Sequence, residues 1–135
     1  MDPGVINLPA VIVAALVGFV IGGAWYAPAL FGAAWQRAAG LDDATVAGGN
    51  KAMIFGLAFL FLLVMAFCLA MFLAAPGVTL ASGALYGFLT GFGWLFFAIG
   101  VVALFERRPW AYLLVNGGYW VVTMTAMGAI LGGWK

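Results

Sequence analysis

Four stretches of the chain, at residues 8–26, 52–75, 80–105 and 110–134, run for about twenty residues or more with no Asp, Glu, Lys or Arg in their interior. A helix that crosses the hydrocarbon of a bilayer needs about 20 apolar residues, and it satisfies every backbone N–H and C=O within itself. The second stretch contains LAFLFLLVMAFCLAMFL, so rich in Leu and Phe that it should insert unaided. The fourth is diluted by Asn116, Gly117, Gly118, Thr123 and Thr125 and should rely on neighbouring helices for its polar groups. Composition closes off a soluble alternative. The 135 residues are 67% hydrophobic and only 7% charged, where a soluble domain carries about 25% charged residues to cover its surface. The fold predicted is all-α: one integral membrane domain, residues 1–135, built as a four-helix bundle with a short interfacial helix in the first loop.

The first stretch differs from a signal peptide, because its leader MDPGVINLP has Asp2 and no basic residue. It is expected to be retained. A formal net charge of +1 gives no basic surface for nucleic acid. The single cysteine, Cys68, has no partner for an intrachain disulfide. The loops set an orientation. Arg37 and Lys51 lie in the long loop, Arg107 and Arg108 in the short loop 106–109, and only Lys135 lies on the opposite side. The positive-inside rule then predicts a multi-pass membrane protein with both charged loops cytoplasmic and both termini on the opposite side, which is the periplasm in a bacterial inner-membrane protein.

The long loop has a pattern of its own. In PALFGAAWQRAAGL, Phe31 and Trp35 are four apart and share one helical face, while Gly40 is placed to close the helix in the left-handed conformation. The spacing predicts a helix over about 29–39 in the headgroup layer, with Pro28 near its first turn. Trp25, Tyr26, Phe31 and Trp35 are its interface anchors, the Trp25 N–H reaching the headgroups. Asp42 and Asp43 are candidate caps for a turn or short helix leading into the second span.

GFVIGGAW at 18–25 and GFLTGFGW at 87–94 share Gly-Phe-x-x-Gly-x-x-Trp. Each belongs to a row of small residues four apart: Ala10, Ala14, Gly18 and Gly22 in the first span, Gly83, Gly87 and Gly91 in the third. Such rows let helix backbones approach closely where lipid supplies no hydrophobic drive. The two spans run in the same direction, so the rows are expected to be parallel packing faces, with Trp94 deeper in the membrane than Trp25. With 20 glycines in the chain, such rows also arise by chance.

Chemistry has little to draw on. There is no His, and the carboxylates are Asp2, Asp42, Asp43 and Glu106, too few and too scattered for a metal site or a nucleophile–base pair. No enzyme and no metal are predicted. Glu106 with Arg107 and Arg108 reads as a topology-setting turn or, together with Arg37, as a place for a lipid phosphate. Asn116, Tyr119 and Thr123 fall on one helical face, and with Tyr86 and Thr90 they either line a polar path or hydrogen-bond between helices. No cofactor is implied, although aromatic faces accommodate bound lipid, quinone or pigment.

Trp25-Tyr26-x-Pro28-x-x-Phe31-Gly32-x-x-Trp35, followed by Gly40-Leu41, resembles the amino-terminal signature of domain-of-unknown-function family 1761, small bacterial integral membrane proteins. The resemblance continues through Gly91-Phe92, Phe105-Glu106-Arg107-Arg108-Pro109-Trp110, Asn116-Gly117-Gly118-Tyr119, Met127-Gly128-Ala129-Ile130 and Trp134. Ala27 stands where the family often has Ser. The resemblance implies a four-span inner-membrane protein and no particular reaction. The function expected is therefore a non-enzymatic membrane protein acting by helix packing, with the lipid bilayer and itself or other membrane subunits as partners: a homo-oligomer or an accessory subunit of a larger complex. The alternative is a small channel or transporter with its polar path on the third and fourth spans.

Overall fold

The computed structural model describes residues 3–135, so Asp2, and the reading of the leader that rests on it, lie outside the described residues. After a short turn at Pro3–Val5, the chain forms α1 (Leu8–Trp25), α2 (Gly32–Ala39), α3 (Asp43–Ala47), α4 (Lys51–Leu73), α5 (Leu80–Thr90), a π-helical turn (Gly91–Phe96), α6 (Phe97–Phe105) and α7 (Trp110–Gly133). The described residues contain no strand. α1, α4, the continuous α5–π–α6 rod and α7 are each long and apolar enough to cross a membrane. The protein is an all-α bundle of four apolar helices.

Local chemistry sets the helix ends. Asn7 accepts from the Ala10 N–H at 3.2 Å and starts α1, and Asn50 does the same for α4 through Met53 at 3.1 Å. Thr79 and Ser82 form a reciprocal capping box at the start of α5. These caps meet N–H groups that helix geometry leaves without partners. α1 stops at Trp25, one residue before the expected end, because Tyr26 enters a turn. α4 spans 51–73 rather than 52–75, because Asn50 caps it early and the chain turns at Ala75–Val78.

α2 begins at Gly32 and not near residue 29. Residues 27–31 turn tightly, with Leu30 and Gly32 both donating to the Ala27 carbonyl at 3.0 Å. The turn presses Gly32 against the Tyr26 carbonyl, where a methyl group would collide. Pro28 therefore sits in the turn, outside the helix. Gly40 closes α2 at φ 70°. Asp42 caps α3, and hydrogen bonds from the Thr45 side chain and backbone hold its carboxyl below the usual carboxylate range.

The fourth span is the hub. In its most apolar stretch 39% of residues are buried, against 28% in the first span and 17% in the second and third. Its largest contact is with α5, and it also meets α1, the π turn, α2, α4 and α6. The core joins Ala10, Ala14 and Ala15 of α1, Leu62, Ala66 and Leu73 of α4, and Met124, Met127 and Leu131 of α7.

Two sides are distinct. On the loop side, Arg108 Nη1 of the short turn donates to the Ala39 carbonyl of the long loop at 3.1 Å. On the terminal side, Asn7 donates to the Trp134 carbonyl at 3.4 Å, and Lys135 Nζ to the Leu73 carbonyl at the end of α4.

Candidate functional site

Polar groups concentrate on the loop side, where α1 meets α7. Trp25 Nε1 donates to the Val115 carbonyl at 2.8 Å, Tyr26 Oη to Asn116 Oδ1 at 2.7 Å, and Tyr119 Oη to the Gly18 carbonyl at 2.8 Å. The Trp25 N–H, expected among headgroups, is thus bound across to the fourth span. Small residues make this reach short: the Trp25 ring lies over Gly118, and the Tyr119 phenol over Gly22. The turn at 27–31 then folds α2 back over the junction, so that Phe31 packs on Trp25 at 4.7 Å and Trp35 on Tyr26 at 5.5 Å between ring centroids. α2 touches α7 and buries Ala38, so it closes the loop-side end of the fourth span.

Beside this junction a groove of about 390 Å³ opens between the first, second and fourth spans. Phe19, Gly23, Phe55, Phe61, Tyr26 and Tyr119 line it. Both phenols donate to the protein itself. The groove walls are otherwise apolar.

The small-residue rows do not meet each other. Ala10, Ala14 and Gly18 are buried in the core, and a methyl on Gly18 would stand 3.0 Å from Thr123 and 3.3 Å from Leu62. The first-span row therefore faces the second and fourth spans. Gly83, Gly87 and Gly91 face the fourth span alone and antiparallel. A methyl on Gly83 would strike the Gly128 carbonyl, one on Gly87 the Met124 carbonyl, and one on Gly91 would come within 2.8 Å of the Trp120 carbonyl. This is backbone-on-backbone packing. The shared Gly-Phe-x-x-Gly-x-x-Trp letters thus give one face to α7 from each side, with the fourth span between them. Trp94 sits in the π turn, 63% exposed and 6.4 Å from Phe72 between ring centroids. Trp25 is tied down where Trp94 is not.

The π turn changes the character of the seam between the third and fourth spans. A π-helical turn takes an extra residue and rotates everything after it. Beyond Gly91 the Phe96 ring lies on Gly117, where no Cβ would fit, and Gly100 faces Leu113. Glycine backbones touch on the terminal side, and an aromatic wedge holds the two helices on the loop side.

The residues expected to form a polar path are parted. Asn116 and Tyr119 hydrogen-bond to the first span, and the Thr123 methyl faces Gly18. Tyr86 and Thr90 line a cleft between the second and third spans, and Thr90 Oγ1 donates to its own helix at Gly87. Thr123 is fully buried, and its Oγ1 makes no hydrogen bond of normal geometry among the described residues.

The arginine turn has a strained backbone. The Arg108 N–H bonds to the Ala103 carbonyl at 2.9 Å and the Arg107 N–H to the Leu104 carbonyl at 3.3 Å, the paired bonds of a Schellman ending for α6. Arg107 occupies its left-handed position at φ 59°. Glycine usually takes that place, and a residue with a Cβ costs about 1–2 kcal/mol there. Arg108 is held by Glu106 at 3.1 Å, by the Ala39 carbonyl and by the Tyr112 ring. Arg37 is exposed in the last turn of α2, on the same loop side.

Sequence reasoning missed the partners of the third-span row. Gly128 and Gly132 are themselves four apart, so the same spacing rule pointed to them. Phe96 on Gly117 had no such signal, because the π turn shifts its helical phase.

No curated protein and no solved structure matches the chain. A family profile described as "Protein of unknown function (DUF1761)" matches residues 9–132, from the first turn of α1 to the end of α7, and so takes in all four spans, the signature around the junction and the arginine turn. The chain belongs to that family.

Proposed function

We propose that this protein is a non-enzymatic protein of the bacterial inner membrane that acts by helix packing, as a homo-oligomer or as an accessory subunit of a larger membrane complex. One observation carries the reading: the fourth span gathers the other three, while the second and third turn most of their surface outward. Phe55, Phe61, Phe72, Phe88, Phe92 and Trp94 are all exposed on that surface. Gly56 and Gly93 face open space, where a methyl would meet nothing. Nothing among the described residues requires glycine there, and an outward glycine lets an outside helix approach closely.

The described carboxylates support a non-catalytic role, since each has a structural partner: Asp42 caps α3, Asp43 accepts from Gln36 at 2.7 Å, and Glu106 pairs with Arg108. The channel alternative has less support, because Asn116 and Tyr119 are engaged with the first span. Four basic side chains on the loop side against one on the terminal side favour cytoplasmic loops and periplasmic termini.

The test is the mass of the protein extracted in a gentle detergent or a lipid nanodisc. Multiples of 14.1 kDa, or a defined additional chain, support the reading. A lone monomer in both media contradicts both forms.

A further inference from the structure

We infer that the arginine turn, with the pocket beneath it, is a binding site for one anionic phospholipid. The pocket has a volume of about 240 Å³ and is lined by Gly100, Ala103, Leu113, Trp110, Arg107 and Arg108. It reaches from the end of the third span into the apolar stretch beyond Pro109. Its charge balance is specific. Glu106 is neutralised by Arg108 at 3.1 Å, and Arg108 is fixed further by the Ala39 carbonyl and the Tyr112 ring. Arg107 has no hydrogen bond or ion pair from its side chain among the described residues, so its charge is the uncompensated one at the pocket mouth.

The backbone that carries this charge is strained. Arg107 stands in the position a Schellman ending normally gives to glycine, and strain of this kind persists where the surroundings over-determine it, commonly at ligand sites. Below the guanidinium the pocket is apolar. Gly100 forms part of its floor, where an added Cβ would already stand in van der Waals contact with Leu113 at 3.6 Å. An ammonium-headed or neutral lipid has no net charge for Arg107, and a free phosphate has no use for the floor. A phospholipid with a net negative headgroup satisfies both parts: phosphate oxygens accept from the guanidinium and the first methylenes of a chain lie against Gly100 and Leu113, beside the interfacial ring of Trp110.

The experiment is native mass spectrometry of the intact protein from phosphatidylcholine nanodiscs doped with phosphatidylglycerol, with thermal unfolding recorded for each variant. The parent chain is expected to retain one phosphatidylglycerol in preference to phosphatidylcholine. Arg107→Gly is expected to fold, because glycine takes the left-handed turn freely, and to bind phosphatidylglycerol about fivefold more weakly. Gly100→Leu fills the floor without touching the charge and is expected to lose the same lipid. Equal retention of the two lipids, or unchanged binding in Arg107→Gly, overturns the inference. Inorganic phosphate that displaces the lipid at millimolar concentration, or a folded Gly100→Leu that binds normally, would reduce the site to an anion contact and also overturn it. Should Gly100→Leu fail to fold, Arg107→Gly and the lipid preference decide alone.

Discussion

Tyr119 and Thr123 are one helical turn apart on α7, yet they are expected to respond oppositely to loss of their hydroxyls. Tyr119 Oη holds the Gly18 carbonyl at 2.8 Å, and interhelical hydrogen bonds in membranes contribute about 0.6 kcal/mol on average. Tyr119→Phe should therefore destabilise by about that amount, and Asn116→Leu, which strips Tyr26 of its acceptor, by a similar one. Thr123 Oγ1 is buried with no hydrogen bond of normal geometry among the described residues, and a group so placed carries a desolvation cost of about 1–3 kcal/mol that it does not recover. Thr123→Val keeps the shape and removes the hydroxyl, so it should leave stability unchanged or raise it. Thermal unfolding in one detergent checks all three, and a marked loss in Thr123→Val would mean that the hydroxyl has a partner after all. These residues were legible in the sequence as a polar face of the fourth span. What they face was not, because a face has a direction only once the neighbouring helix is placed.

At the scale of the helices, the seam between α5 and α7 is the feature most sensitive to volume. Gly87 lies against the Met124 backbone, and neither side can withdraw without bending a helix. Gly87→Leu should cost about 1–3 kcal/mol or more as overpacking and should separate the third span from the fourth. Gly93→Ala and Gly56→Ala, with nothing of the same chain in front of them, should not destabilise the fold of the single chain. If the three variants behave alike, the seam is not where the structure puts it.

The four spans, the Gly40 helix ending and the Asp42 cap arise from local chemistry, and the sequence carries them openly. The seam does not arise in the same way. Rows of small residues mark a groove on one helix but carry no address for the partner, so two rows on parallel spans looked suited to each other when each in fact fits α7. The π turn was hidden for a related reason. GFGWLF carries no residue that demands a widened turn; the demand comes from Gly91 and Phe96 having to meet α7 in different phases. The start of α2 was displaced by the tight turn at 27–31, which brings Gly32 onto the Tyr26 carbonyl and which helical spacing alone does not reveal.

For the whole molecule, the fourth span acts as a mast to which the other three are fastened, by glycine contact on one side and by hydrogen bonds and small-residue packing on the other. Such a body presents outward a surface of Phe, Trp and Leu. With Asn116 and Tyr119 engaged with the first span, the protein in liposomes should show no solute-dependent flux above that of empty vesicles, and Asn116→Leu should change nothing in that assay. Flux in the parent that disappears in Asn116→Leu would revive the channel reading. Tags at either terminus should be open to protease added to spheroplasts, while a site engineered into loop 41–50 should be protected. The reverse pattern would turn the protein over in the membrane without altering its packing.

The most direct measurement is the mass of the particle in a native-lipid nanodisc. If the protein acts by packing its outward aromatic spans against another helix surface, that mass will be a multiple of 14.1 kDa or will include a second, defined chain. A particle holding one 14.1 kDa chain and lipid alone, in nanodisc and gentle detergent alike, would contradict it.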